Sequence, residues 1–274
     1  MRRIPYIIFV TILLAFYSCD EEDSLKEGPN EQEPIEVTEA LEKLQQVQLF
    51  FGHQSVGMNI LSGIETVAED NQVDLTIIET SSANGLPEPC LAHAYIGQNF
   101  QPLTKLDAFA SKMNNGLGEA VDIAFMKFCY VDIDADTDVE ALFAAYQNTM
   151  NTLQSNYPNV TFVHFTAPLK SQNSGAKAFV KKALGKTTAE SDNNIKREQY
   201  NALVREAYQG NEPFFDLAKV ESTYPDGSRS SHTENGFTYY SMVNAYTDDG
   251  GHLNETGREV MAGALIQALS QWIN

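Results

Sequence analysis

Val47-Gln48-Leu49-Phe50-Phe51-Gly52-His53-Gln54-Ser55-Val56-Gly57 changes its apolar period halfway along. The run Val47 to Phe51 has the length and aromatic content of a buried strand, and it stops at Gly52. Beyond it, Val56, Ile60, Leu61, Ile64 and Val67 fall on one face of a helix. The segment therefore predicts strand, tight turn, helix, with Ser55 at the start of the helix. A serine there is either a helix N-cap or a hydroxyl exposed beside the unpaired N–H groups of a helix N-terminus.

Working outward, Val73 to Ile78 reads as a second strand and Leu103 to Met113 as a helix. Val121 to Cys129 is nearly all apolar, interrupted by Asp122 and Lys127, as expected of a central strand covered on both faces. A helix from Val139 to Leu153 carries Leu142, Phe143, Tyr146, Met150 and Leu153 at three- and four-residue spacing. Val160 to Phe165 and Pro213 to Leu217 read as further strands, with a helix from Asn193 to Tyr208 between them. Residues 170 to 189 read as an elaborated polar loop, and Glu255 to Trp272 as the closing helix. Strands alternating with helices predict an α/β domain, a three-layer αβα sandwich around a mainly parallel sheet. Ligands of such sheets sit at the carboxyl ends of the strands.

The N-terminus is of a different kind. Arg2 and Arg3 precede an apolar run from Ile4 to Phe16, then Ser18 and Cys19. The pattern reads as a signal peptide over 1–18, with Cys19 as a lipidation site. Residues 19–36 are acidic and polar, starting Asp20-Glu21-Glu22-Asp23, and predict a flexible tether. Residues 37–274 then form one domain. The expected location is exported, lipid-anchored in a bacterial cell envelope at the outer membrane or cell surface, with Cys19 the only link to the membrane.

The chain carries a formal charge of −19, or −21 once Arg2 and Arg3 are removed, which opposes binding to nucleic acid. Beyond Cys19 only Cys90 and Cys129 remain, either buried thiols or one bridge. No His, Cys, Asp or Glu spacing suggests a metal site, and no cofactor is expected.

Near the far end, Thr247-Asp248-Asp249-Gly250-Gly251-His252-Leu253-Asn254 sets a carboxylate three residues before a histidine, with two glycines between to fold the turn. Such a carboxylate can accept a hydrogen bond from one imidazole nitrogen while the other faces a nucleophile. A plain polar turn capped by Asn254 is the other reading.

Taken together, the Ser55 segment and Asp249-Gly250-Gly251-His252-Leu253-Asn254 with Gly257 resemble the SGNH hydrolase family, across residues 47 to 272. The resemblance implies a flavodoxin-like sheet and an esterase or acetylesterase with Ser55 as nucleophile, His252 as base and Asp249 orienting it. The family's usual Gly-Asp-Ser is here His53-Gln54-Ser55. The family's second block places a glycine N–H in the oxyanion hole, and Tyr95-Ile96-Gly97-Gln98-Asn99 is the counterpart, with Gly97 as donor beside the Ser55 backbone. Its third block carries an Asn donor, whereas this chain has Lys127-Phe128-Cys129-Tyr130-Val131-Asp132, with Val131 at the Asn position. Asn99, Tyr130 or Lys127 could supply the missing donor, Asn99 being the first choice, and Lys127, within a strand, also reads as a buried ion-pair partner. His53 and Gln54 are further pocket candidates, although His53 also reads as a partly exposed loop residue. Ser222 to Tyr246, rich in aromatics and hydroxyls, is either a packed hairpin or a sugar-stacking surface. The expected substrate is an acylated small molecule or glycan. The alternative is a catalytically silent glycan-binding lipoprotein on the same fold, since fold alone does not establish activity.

Overall fold

The computed structural model describes residues 36–80, 82–172, 189–234 and 236–273. The segment 1–18, Cys19, the tether as far as residue 35, and most of the expected loop at 170–189 lie outside the described residues. The chain parts into two units, Met1–Glu33 and Pro34–Asn274, and every described residue belongs to the second. Among the described residues no helix is long and apolar enough to cross a membrane.

Six parallel strands build the sheet: β1 (Leu49–His53), β2 (Ile77–Glu79), β3 (Leu91–Tyr95), β4 (Ile123–Met126), β5 (Thr161–Phe165) and β6 (Phe214–Phe215). Their order is β2-β3-β1-β4-β5-β6. Every neighbouring pair is parallel, with Phe51 beside His93 on one side and Phe125 on the other. Among the described residues seven α-helices accompany them: α1 (Val37–Leu44), α2 (Ser55–Asp70), α3 (Pro102–Asn114), α4 (Val139–Asn156), α5 (Ala189–Tyr208), α6 (Leu217–Glu221) and α7 (Glu255–Ser270). A separate antiparallel hairpin pairs β7 (Ser231–Glu234) with β8 (Phe237–Tyr240).

Strand alternation divides the core in two. Leu49, Phe51, Ile123, Phe125, Val163 and Phe165 face α1, α2 and α7, where Leu41, Ile60, Ile64, Leu265 and Ile266 are buried. Phe50, Ala92, Ala94, Ala124, Met126 and Phe162 face the other way, onto α3, α4 and α5 through Leu106, Phe109, Tyr146, Met150, Tyr200 and Val204. This is the three-layer arrangement expected from the sequence. Chain direction across the sheet reverses at β1, since β3 and β2 lie on one side and β4 to β6 on the other. A crevice forms at the carboxyl ends of strands where the order reverses. Ser55 follows β1 directly at that point.

β3 is not among the strands expected from the sequence, which singles out only Tyr95 to Asn99 in this region. Its residues Leu91-Ala92-His93-Ala94-Tyr95 carry two alanines and a histidine, yet it lies between β1 and β2 in the interior of the sheet. The small Ala side chains leave room for Phe50 and Phe109, whose rings stack at 5.9 Å. Cys90 and Cys129 are buried free thiols.

Candidate active site

β1 ends at His53, Gln54 is extended, and α2 begins at Ser55. Gln54 therefore holds the cap position, with no side-chain cap bond, and Ser55 is the first helical residue, so the N-cap reading does not hold for it. The turn closes through Gly57 N–H donating to the Gln54 carbonyl at 2.8 Å. The N–H groups of Ser55 and Val56, ahead of that bond, have no acceptor within the helix.

His252 reaches this serine because α7 packs along α2. Gly63 on α2 permits the close approach: a Cβ there would stand 2.4 Å from the Arg258 carbonyl oxygen of α7. The chain ahead of α7 is pinned three ways. Asn254 caps the helix by accepting from Gly257 N–H at 3.1 Å, Thr247 bridges to Leu253, and Leu253 N–H donates to Asn59 Oδ1 at 3.2 Å. Asn59 lies one helical turn beyond Ser55 on the same face of α2, so one helix carries the serine and anchors the histidine loop.

Ser55 Oγ and His252 Nε2 are 3.0 Å apart, and His252 Nδ1 is 2.6 Å from Asp249 Oδ2. Asp249 Oδ1 accepts from Gly251 N–H and His252 N–H, each at 2.8 Å. Partial burial opposes the charge on Asp249. The hydrogen bonds from the His252 backbone, the His252 ring and Gly251 outweigh it and hold the carboxyl well below the usual carboxylate range. A fixed carboxylate at Nδ1 makes that nitrogen the protonated one and leaves Nε2 free to accept from the serine. Tyr130 stands against the same imidazole edge-on, ring centroids 5.8 Å apart. Burial and the nearby Asp249 raise its phenol pKa, keeping it protonated and a donor.

On the other side of Ser55 lies the turn after β3. Gly97 has φ +55, and a Cβ there would meet Lys105 N at 2.5 Å, so only glycine fits. The Gln54 side chain donates to the carbonyls of Ile96 at 2.8 Å and Gly97 at 3.0 Å, which ties this turn to the residue preceding the serine. The Gly97 N–H has no hydrogen-bond partner among the described residues. Asn99 is exposed, and its Oδ1 accepts from Lys105 Nζ at 3.0 Å, leaving the amide nitrogen as its free end.

Two of the pocket candidates lie in the interior rather than in the crevice. His53 is the last residue of β1 and fully buried, not a partly exposed loop residue. Its Nδ1 donates to the Gln54 carbonyl at 2.8 Å, which leaves Nε2 to accept from His93 Nδ1 at 3.1 Å. Burial, with Lys127 and His93 nearby, pushes His53 down to about 3, so the pair is neutral and joins β1 to β3 behind the serine. Lys127 is also interior, 2% exposed, its Nζ bonded to the Phe128 carbonyl at 3.3 Å, and burial lowers its pKa. A strand-end lysine turned inward has no path to a substrate without repacking. The aromatic stretch 222–246 is a packed hairpin in part: Tyr239 and Tyr246 are buried, and the Arg229 guanidinium covers the Tyr240 ring at 3.8 Å.

Sequence reasoning passed over the Lys105–Asp132 pair. Both side chains are fully buried and paired to each other. Asp132 also accepts from Cys129 N–H at 2.6 Å and Phe100 N–H at 3.0 Å, so one carboxylate fastens the turn after β3 to the turn after β4. Twenty-seven residues separate the partners, beyond any local pattern. Among the described residues no cluster of three or more His, Cys, Asp or Glu could hold a metal.

No protein-family model matches the chain, and no curated protein does. Among solved structures it is similar to a lipase/acylhydrolase from Enterococcus faecalis, at 13% identity over 83% of this chain and 97% of that one, TM-score 0.47. It is similar also to a protein from Parabacteroides merdae described as a GDSL-like lipase, at 10% identity over 84% of this chain and 97% of that one, TM-score 0.49. A carbohydrate esterase family 3 protein from Talaromyces cellulolyticus matches at 15% identity over 82% of this chain and 96% of that one, TM-score 0.46. At such identities and scores these likenesses carry no argument about this chain's chemistry, which rests on its own residues.

Proposed function

We propose that this chain is a serine esterase with Ser55, His252 and Asp249 as its triad. The observation that carries the reading is the unbroken run Asp249 Oδ2, His252 Nδ1, His252 Nε2, Ser55 Oγ, at 2.6 and 3.0 Å, with the Gly97 N–H, unpartnered among the described residues, on the turn that Gln54 clamps. In the reaction, Ser55 Oγ attacks the ester carbonyl as His252 Nε2 takes its proton. The carbonyl oxygen becomes an oxyanion, held by the N–H groups of Ser55 and Gly97 with the Asn99 amide as third donor. Collapse expels the alcohol, which takes the proton from His252, and leaves an acyl-Ser55. Water, deprotonated by the same nitrogen, releases the acid and restores the serine.

The substrate class in this reading is an acylated small molecule or glycan, with O-acetyl sugars the first choice, and no nucleic acid, given the net charge of −19. The protein is exported and anchored in the envelope through an acylated Cys19. Mass spectrometry of membrane-extracted protein should find a lipid-bearing mature terminus at Cys19, and recovery of a soluble form that keeps Met1 contradicts it.

A fluorophosphonate probe tests the triad directly. Wild type should be labelled at Ser55, and Ser55→Ala should not. The third-block position held by Val131 favours one second reading, a glycan-binding protein that does not turn over its ligand. A folded protein that resists the probe yet binds acetylated glycans decides for that reading.

A further inference from the structure

We infer that Phe100 is a substrate-contacting residue of the esterase site, placed there to pack its ring against the apolar surface of the group that the ester carries; this rests on the reading of Ser55 as nucleophile. Phe100 has φ +65, a conformation that a bulky side chain rarely adopts and that costs free energy wherever it occurs. Ordinarily such a cost is offset by burial of the ring. Here the residue is 73% exposed, and its ring makes no aromatic contact among the described residues. The fold therefore gains little from the ring it holds out.

The backbone is nonetheless held firmly. Phe100 N–H donates to Asp132 Oδ1 at 3.0 Å, and that carboxylate is fixed by fully buried Lys105. The turn is closed from both ends, by Gln101 N–H on the Gln98 carbonyl at 3.2 Å and by Gln98 N–H on Thr104 Oγ1 at 2.9 Å. An outlier over-determined by its surroundings, and unrewarded by packing, points to function. The location says which function. Phe100 lies three residues after Gly97, on the turn that Gln54 clamps beside Ser55, so an acyl group bound to the serine with its oxygen at the Gly97 N–H lies against this turn. Tyr95 at 47% and Leu103 at 54% exposure add apolar surface before and after it in the chain. A fixed, exposed aromatic binds without having to be ordered first, which is where a rigid platform gains affinity.

Phe100→Gly separates this role from a structural one, because glycine accepts the positive φ freely while losing the ring. Steady-state hydrolysis of p-nitrophenyl acetate and p-nitrophenyl butyrate, with melting curves alongside, gives the readout. The variant should raise KM by about ten- to a hundredfold for at least one ester, the loss expected for an aromatic contact, with kcat changed by less than about threefold. Its melting temperature should be unchanged or higher, and Phe100→Leu should recover much of the KM. Wild-type KM in Phe100→Gly for both esters overturns the proposal, as does a fall in melting temperature, which makes the ring structural. A wild type that neither hydrolyses these esters nor takes the fluorophosphonate overturns the reading of Ser55 and this proposal together.

Discussion

Replacing Asp249 by Asn tests the triad through a single proton, and the structure dictates the outcome. Asp249 Oδ1 accepts from two backbone N–H groups, of Gly251 and His252, at 2.8 Å each. In Asp249→Asn the side-chain oxygen must keep that position, because the amide nitrogen cannot accept those bonds. The amide nitrogen then takes the Oδ2 position, 2.6 Å from His252 Nδ1 in the parent, and can only donate to it. His252 responds by moving its proton to Nε2, the nitrogen 3.0 Å from Ser55 Oγ, and a protonated Nε2 cannot take the serine proton. A tautomer inverted in this way lowers turnover by about four orders of magnitude in serine hydrolases of known mechanism. Stability should hardly move. The two side chains are 40% and 57% exposed, so their pairing is screened by solvent and contributes about 1 kcal/mol at most. The assay is p-nitrophenyl acetate turnover and the rate of fluorophosphonate labelling, with urea unfolding as the control. Asp249→Asn that folds normally and keeps turnover within about tenfold of wild type refutes the reasoning, because another group must then set the tautomer.

Three further outcomes follow from the same geometry. Asn99→Ala should reduce kcat by about 100- to 1000-fold if its amide is the third oxyanion donor, and unchanged kcat leaves the backbone donors of Ser55 and Gly97 alone. Lys105→Met removes the partner of a fully buried carboxylate and should cost about 3–5 kcal/mol of stability in urea unfolding, whereas an unshifted midpoint denies that the pair fastens the two turns. Glu221 is fully buried, and burial raises its carboxyl to about 8 against the Leu169 N–H, Lys127 and Arg197 that lower it. The folded protein then keeps this proton while the unfolded chain loses its own near pH 4, so the contribution to stability falls as pH rises from about 4 toward 8. Glu221→Gln should gain on wild type progressively over that window in thermal melts, and a constant difference across it contradicts the assignment.

What could be read from the sequence was what is local. The strand, turn and helix around Ser55 lie within one change of apolar period, and Asp249 and His252 share one turn ahead of a helix that Asn254 caps. Their meeting, at positions 197 apart in the chain, requires the first strand and the last loop to share one sheet edge. What was hidden depends on partners that no period records. β3 escaped because its alanines and His93 lack the hydrophobic bulk that marks a strand, although its neighbours β1 and β2 bury it. His53 and Lys127 stay ambiguous in the sequence because a polar side chain at a strand end is equally consistent with facing the crevice or the interior. The neighbours decide: His93 for the one, the Phe128 carbonyl for the other. The same reasoning bears on the donor that Val131 cannot provide. Its place in the chain is followed by Asp132, whose carboxylate does not face a substrate but reaches across to Phe100 N–H and Lys105, and Lys105 in turn fixes the oxygen of Asn99. In this arrangement the turn after β4 acts on the proposed oxyanion site at one remove, by positioning the turn after β3 that carries Gly97, Asn99 and Phe100. An ion pair buried beneath both turns thus holds the neighbouring one in place, and that positioning is open to test at Lys105, whose side chain is fully buried.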